Sequence, residues 1–135
     1  MSYPVHLLVT GGSGFLGKAV IGAVHERHPD WHITSLDIEA SSSPQADWID
    51  HVGIDVRDAD AVYRAVQIVQ PTAIVHCAGI VPAGNERYNL SLRDEVFAVN
   101  VGGTKNMLEA AQACSVQAFC FTSSVCLRYV GLSCT

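Results

Sequence analysis

Lysine is scarce in this chain: among 135 residues only Lys18 and Lys105 carry ammonium groups, the arginines stand singly, and the formal net charge is −5. No basic stripe is available to neutralise a phosphate backbone, which argues against nucleic acid as a partner. Apolar runs are also short. None approaches the roughly eighteen residues of a membrane span, and the N-terminus has neither the basic flank nor the long apolar segment of a secretory signal. These absences point to the cytosol, with endoplasmic-reticulum association of a longer relative left open. The five cysteines (Cys77, Cys114, Cys120, Cys126, Cys134) are odd in number and lack paired or metal-like spacing, which argues against a disulfide framework and a zinc site. The thiols read as reduced. The six histidines are equally dispersed and read as packed or solvated imidazoles, so no metal site is expected.

What is present is apolar and patterned. With 49% hydrophobic residues and 16% charged, the chain is long enough for one domain with a real core and too short for two. Its organising stretch is Val5 to Arg27. Val5, Leu7, Leu8 and Val9 read as a buried parallel strand, and Phe15, Leu16, Ala19, Val20, Ala23 and Val24 form a helical stripe after it. Between them lies Thr10-Gly11-Gly12-Ser13-Gly14-Phe15-Leu16-Gly17, readable as Gly12-x-Gly14-x-x-Gly17 or as Gly11-x-x-Gly14-x-x-Gly17. A strand turning into a helix through glycines makes an anion site. Bare backbone lets a pyrophosphate approach, and the free N–H groups and positive dipole end of the helix hold it. A glycine run alone also fits a tight turn without ligand. Here the next apolar stretch, His32 to Leu36, ends at Asp37, about twenty residues beyond the last glycine, where a carboxylate can accept both hydroxyls of an adenosine ribose.

Along the chain, the first helix stops near His28-Pro29-Asp30, and Ser41 to Gln45 reads as a surface loop. A third short strand is expected over Val52 to Val56. Asp58-Ala59-Asp60 caps a helix whose buried stripe is Val62, Ala65, Val66 and Val69, ended by Gln70-Pro71. Ala73 to Ala78 reads as a central strand buried on both faces. A loop follows over Gly79 to Arg87. Ser91 with Asp94 or Glu95 then opens one long helix running to about Cys114, and Gln117 to Thr122 is a fifth strand. Strands alternating with helices give βαβ units. Right-handed crossovers set an α/β, doubly wound parallel sheet of Rossmann type in the order 3-2-1-4-5, with ligands at the carboxyl ends of strands 1 and 4. Thr10, Asp37, Asp55, Ala78 and Thr122 are all expected at such ends.

These residues resemble the extended short-chain dehydrogenase/reductases from Val5 to about Ser124. The matching motifs are Thr10-Gly11-x-x-Gly14-x-x-Gly17, Asp37, Asp55-Val56, His76-Cys77-Ala78-Gly79, Asn100-Val101-x-Gly103-Thr104 and Phe121-Thr122-Ser123-Ser124. Gly14-Phe15-Leu16-Gly17, His76-Cys77-Ala78 and Thr122-Ser123-Ser124 look most like the branch of 3β-hydroxysteroid and sterol-4-carboxylate 3-dehydrogenases. The resemblance implies that Gly11, Gly14, Phe15, Leu16 and Gly17 lie by the pyrophosphate and that Asp37 holds the adenosine ribose. It implies Asp55 and Val56 at the adenine, and Cys77, Ala78 and Gly79 under the nicotinamide ribose. Asn100 and Thr122 would be cofactor-side contacts, and Ser124 the catalytic serine that hydrogen-bonds the substrate oxygen. Spacing alone leaves Asp55 readable as a loop carboxylate, Asn100 as a helix-surface amide, and Ser123 and Ser124 as turn residues.

The implied chemistry is hydride transfer between nicotinamide C4 and a carbon bearing an alcohol or carbonyl oxygen of a steroid- or sterol-like small molecule. The implied cofactor is NAD rather than NADP: Asp37 would repel a 2′-phosphate, and no arginine or lysine lies in the glycine loop or directly after Asp37. The family moves the hydroxyl proton with a tyrosine and a lysine four residues later. This chain lacks that pair, because the only tyrosine after Ser124 is Tyr129, position 133 is serine, and no lysine follows Lys105. Residues 1–124 therefore read as the N-terminal, cofactor-binding part of a truncated product. Residues 125–135 form a divergent tail, with the substrate region absent. Two readings stand: the cofactor half of a steroid dehydrogenase, or a non-catalytic dinucleotide-binding module. Strand 5 would sit at a sheet edge, a template for self-association.

Overall fold

The computed structural model describes residues 4–40, 46–82 and 89–123. Its centre is a five-stranded, wholly parallel sheet formed by β1 (His6–Thr10), β2 (His32–Asp37), β3 (Ile49–Gly53), β4 (Ala73–His76) and β5 (Ala118–Phe121) in the order β3-β2-β1-β4-β5. This is the doubly wound order expected from the sequence. Leu7, Leu8, Val9 and Thr10 are all buried in the middle strand, which accounts for a run without alternation.

Each face of the sheet carries its own core. On one side Leu7, Val9, Ile33 and Ile49 pack with Ile21 of α1 (Phe15–Arg27). On the other, Leu8, Leu36 and Ile74 pack with Val62 and Val66 of α2 (Ala59–Val69) and Met107 of α4 (Thr104–Ala113). Of the expected α2 stripe Val62, Ala65 and Val66 are buried and Val69 is half-buried, and Asp58 caps the helix by accepting from Ala61 N at 3.0 Å. Gln70 in the left-handed region then ends it before Pro71.

Five expectations need correction. In α1, Phe15 is 95% exposed and Leu16 and Ala19 also face outward. The buried face is instead Gly17 and Ile21, with Val20 and Val24 partly covered. Gly17 sets this phase, because a Cβ there would fall on the carbonyl oxygen of Gly11 and lie 2.7 Å from Gly11 C, so only glycine lets the first helical turn lie on the loop. The third strand is Ile49–Gly53 rather than Val52 to Val56. Pairing of Ile33 with Ile49 and Asp37 with Gly53 fixes that register, and Ile54 to Val56 leave the sheet to line the cleft. The fourth strand closes at His76, after which Cys77 and Ala78 turn into the cleft wall.

The long helix is not continuous. Asn89, not Ser91, caps α3 (Leu90–Phe97), accepting Ser91 N at 3.0 Å. A π-helical turn over Ala98–Gly103 separates α3 from α4. There the Thr104 hydroxyl donates to Asn100 O at 2.7 Å, and a Cβ on Gly103 would lie 2.6 Å from Val56 Cγ2. A hydroxyl competing for the helix ladder and two adjacent glycines, Gly102 and Gly103, supply the local reason for the bulge. Ser41 to Gln45, residues 83–87 of the Gly79 to Arg87 loop, and the tail at 125–135 lie outside the described residues.

Candidate functional site

At the carboxyl ends of the strands the loops after β1, β2, β3 and β4 enclose a cleft of about 340 Å³, within the size range of small-molecule sites. It opens where the winding reverses between β1 and β4. The glycine turn forms its centre. Gly11 has φ +68°, donates its N–H to Leu36 O at 2.8 Å, and passes so near β4 that a Cβ would stand 2.8 Å from Ala78 N. No other residue type fits that backbone and that approach together.

Asp37, the last residue of β2, faces the turn. Its Oδ2 accepts the N–H of Ser13 at 3.0 Å and its Oδ1 the N–H of Ile38 at 2.7 Å. Opposite, Asp55 binds Arg57 through both carboxylate oxygens, with the closest contact 2.6 Å from Arg57 Nη2 to Oδ2. The Arg57 side-chain hydrogen bonds hold the Asp55 carboxyl below the ordinary carboxylate range, and Asp55 raises Arg57 in turn. From α4, Asn106 Nδ2 donates to Val56 O at 2.9 Å and to Arg57 O at 3.2 Å, which fixes this wall.

Gly11, Gly14, Asp37, Asp55, Val56, Cys77, Ala78 and Gly79, all singled out in the sequence, line this one cleft. Others sit beside it. Phe15 and Leu16 are exposed on the first turn of α1, while Gly17 is buried beneath the loop. Asn100 does not present a free amide: its Oδ1 accepts Ile80 N at 2.7 Å and its Nδ2 donates to Ile80 O at 2.8 Å, so it clamps the end of the β4 loop. Thr122 donates its hydroxyl to His76 O at 2.9 Å, extending the β4–β5 pairing by one step. Burial pushes the Cys77 thiol up in pKa, with the Thr122 side chain acting in the opposite direction. Thr10 is fully buried, so its hydroxyl serves the scaffold rather than a ligand. Ser124 and Tyr129 lie outside the described residues.

Sequence reasoning missed Arg57, Glu95 and Ile80 on the cleft wall and Asn106 behind it. Arg57 stands two residues after Asp55 in Asp55-Val56-Arg57-Asp58, a spacing that brings a guanidinium back onto a loop carboxylate. Among the described residues no group of three or more His, Cys, Asp or Glu side chains is placed to hold a metal ion, and no helix is long and apolar enough to cross a membrane.

A glycine turn feeding a helix, an acidic residue closing the second strand and a cleft at the reversal of winding define a dinucleotide-binding doubly wound fold. The chain belongs to the NAD dependent epimerase/dehydratase family, whose pattern matches residues 7–128. Among curated relatives, the 3 beta-hydroxysteroid dehydrogenase/Delta 5-->4-isomerase of Mycobacterium tuberculosis is 37% identical over 119 residues, 87% of this chain and 31% of the relative. The 3-beta-hydroxysteroid dehydrogenase of Mycolicibacterium neoaurum is 34% identical over the same share. The chain thus spans about a third of the length of the curated relatives it matches. Among solved structures, a uronate dehydrogenase variant from Agrobacterium tumefaciens complexed with NAD superposes with a TM-score of 0.72 at 26% identity, covering 90% of this chain and 42% of that one. A short-chain dehydrogenase/reductase superfamily protein from the same organism with bound NAD gives 0.69 at 31% identity, covering 88% and 32%.

Proposed function

We propose that this chain is the NAD-binding part of an oxidoreductase that acts on the CH–OH group of a 3β-hydroxysteroid or sterol. The observation that carries the cofactor reading is Asp37: its carboxylate stands against the glycine turn, within hydrogen-bonding distance of Ser13 N–H, where an adenosine ribose would meet it. The same charge disfavours the 2′-phosphate of NADP. Arg57, the guanidinium on the cleft wall, is already engaged by Asp55. In this reading the glycine turn takes the pyrophosphate, Asp55 and Val56 the adenine, and Cys77 to Gly79 the nicotinamide ribose. When bound, NAD supplies the hydride-accepting ring, and these residues bind and orient it.

The steroid or sterol class rests on the relatives at 34–37% identity and on the branch-like motifs. A second reading is a non-catalytic dinucleotide-binding module, which the same cleft would also serve. Self-association through the outer edge of β5 would suit that module. Reading the transcript beyond Thr135 tests the choice. The dehydrogenase reading expects an in-frame continuation with Tyr-x-x-x-Lys whose product reduces NAD with a 3β-hydroxysteroid. A stop at that point, reproduced in related organisms, would assign the module instead.

A further inference from the structure

His76 is fully buried at the end of β4, beneath the cleft and outside its lining. Both ring nitrogens are engaged: Nδ1 lies 2.6 Å from Thr10 Oγ1, and Nε2 lies 2.9 Å from Thr104 Oγ1. The neighbours of these hydroxyls determine every proton. Thr10 Oγ1 accepts the N–H of Ala78 at 3.1 Å and shares the N–H of Cys77, at 3.1 Å, with the Thr10 carbonyl oxygen, also at 3.1 Å, which leaves Nδ1 as the acceptor for its own hydrogen. The Thr104 hydroxyl donates to Asn100 O at 2.7 Å, so it must accept from Nε2–H. One arrangement satisfies all partners: a neutral imidazole with the proton on Nε2. The opposite tautomer, or the imidazolium, would bring a further N–H onto Thr10 Oγ1 and leave the Thr10 hydrogen without an acceptor. Burial favours the neutral ring and pushes its pKa from 6.5 down to about 4.

The two hydroxyls serve the two ends of one segment. Thr10 holds its beginning through Cys77 and Ala78, and Thr104 bonds the carbonyl of Asn100, whose side chain holds its end through Ile80. Cys77 to Ile80 form the β4 wall of the cleft. We propose that His76 is the positioning residue of this cleft: as the Nε2–H tautomer it sets the direction of the Thr10 and Thr104 hydroxyls and so couples the glycine turn to the π-helical turn across the wall between them. The inference rests on the cofactor reading given above for its functional consequence, and on the hydrogen-bond geometry alone for its proton arrangement.

The test has two arms on the 135-residue chain. Nitrogen-15 spectra of histidine-labelled protein at neutral pH are expected to show His76 with a protonated Nε2 and an unprotonated Nδ1; a protonated Nδ1 overturns the proposal. Calorimetric titration with NAD reads the coupling. Thr104→Val is expected to weaken binding roughly three- to tenfold, the scale of one buried hydrogen bond, while Thr104→Ser keeps the hydroxyl and restores affinity. In a His76→Phe background the same Thr104→Val change is expected to cost less than about twofold. Equal losses in both backgrounds overturn the coupling. If His76→Phe does not fold, a cycle of Thr10→Val and Thr104→Val replaces it, with non-additive losses expected and additive ones contradicting the proposal. A wild-type chain that binds no NAD would sink the cofactor reading, while the nitrogen spectra still decide the proton arrangement.

Discussion

The Asp37 carboxylate at the end of β2 accepts the backbone N–H of Ser13, in the glycine turn after β1, at 3.0 Å. In the cofactor reading proposed above, the residue that would discriminate between NAD and NADP therefore also holds the turn that would bind the pyrophosphate. Its two tasks separate by substitution: asparagine keeps an acceptor for Ser13 and loses the charge, whereas alanine loses both.

The two glycines of α1 make a contrasting pair. At Gly17 a Cβ would press on the backbone of Gly11 and stand 2.8 Å from Gly12 Cα, atoms that cannot swing aside; at Gly22 nothing lies within 4 Å. Gly17→Ala is expected to destabilise the domain by about 2 kcal/mol or more through displacement of the turn. Gly22→Ala should stabilise it by about 0.5–1 kcal/mol through helix propensity and lost unfolded-state freedom. Chemical denaturation of the two variants measures both, and equal effects would refute the packing assigned to α1.

Titration of His76 gives stability a pH dependence of known sign. Its folded pKa, about 4, lies below the ordinary 6.5, so below pH 6.5 the unfolded chain takes up a proton that the native ring refuses. Stability is fully present above 6.5 and falls with pH down to about 4. That window, at about 1.4 kcal/mol per pH unit, corresponds to roughly 3 kcal/mol. Burial also lowers His6, the largest of its causes, which adds a contribution of the same sign. Denaturation of the wild type and of His76→Gln at pH 7 and pH 4.5 is expected to show the steeper loss in the wild type, and parallel losses would contradict the buried neutral ring.

The doubly wound order was legible because strands and helices alternate with local signals: an unbroken apolar run in β1, Asp37 closing β2, and Asp58 capping α2. The third strand was misplaced because Val52 to Val56 looks more strand-like than Ile49 to Gly53. Pairing with β2, a tertiary fact, selects the latter. The phase of α1 was misread because Phe15 and Leu16 are apolar yet point out beside the glycine turn, while Gly17, with no side chain to count, marks the packed face. The cleft residues were legible where a motif fixes them. Arg57 and the clamp roles of Asn100 and Asn106 depend on contacts between segments far apart in sequence, which spacing does not encode.

Turnover is a separate matter from binding. Without a Tyr-x-x-x-Lys pair, roughly two to four decades of proton-transfer catalysis are missing, so the 135-residue chain is expected to show no sustained NAD reduction with 3β-hydroxysteroids. Steady reduction that Tyr129→Phe abolishes would show that another phenol serves.

The edge of the sheet bears on association. Among the described residues β5 pairs only with β4; Ala118 and Cys120 are exposed and Phe121 is half exposed, while Phe119 packs partly against the core. An edge left unpaired among the described residues, beside an exposed ring, would invite pairing with another chain. Sedimentation of the 135-residue chain is expected to show concentration-dependent association that Phe121→Lys reduces, and a monomer at all concentrations would remove this expectation.

The most direct test of the account is calorimetric titration of the chain with NAD and with NADP, before and after Asp37→Asn. The wild type is expected to bind NAD more tightly by roughly ten- to a hundredfold, the scale of a carboxylate opposing a phosphate near a protein surface. The asparagine variant should lose most of that difference by gaining affinity for NADP. Equal binding of the two cofactors by the wild type, or a preference that Asp37→Asn leaves unchanged, would contradict the role assigned to Asp37 and with it the cofactor reading of the cleft.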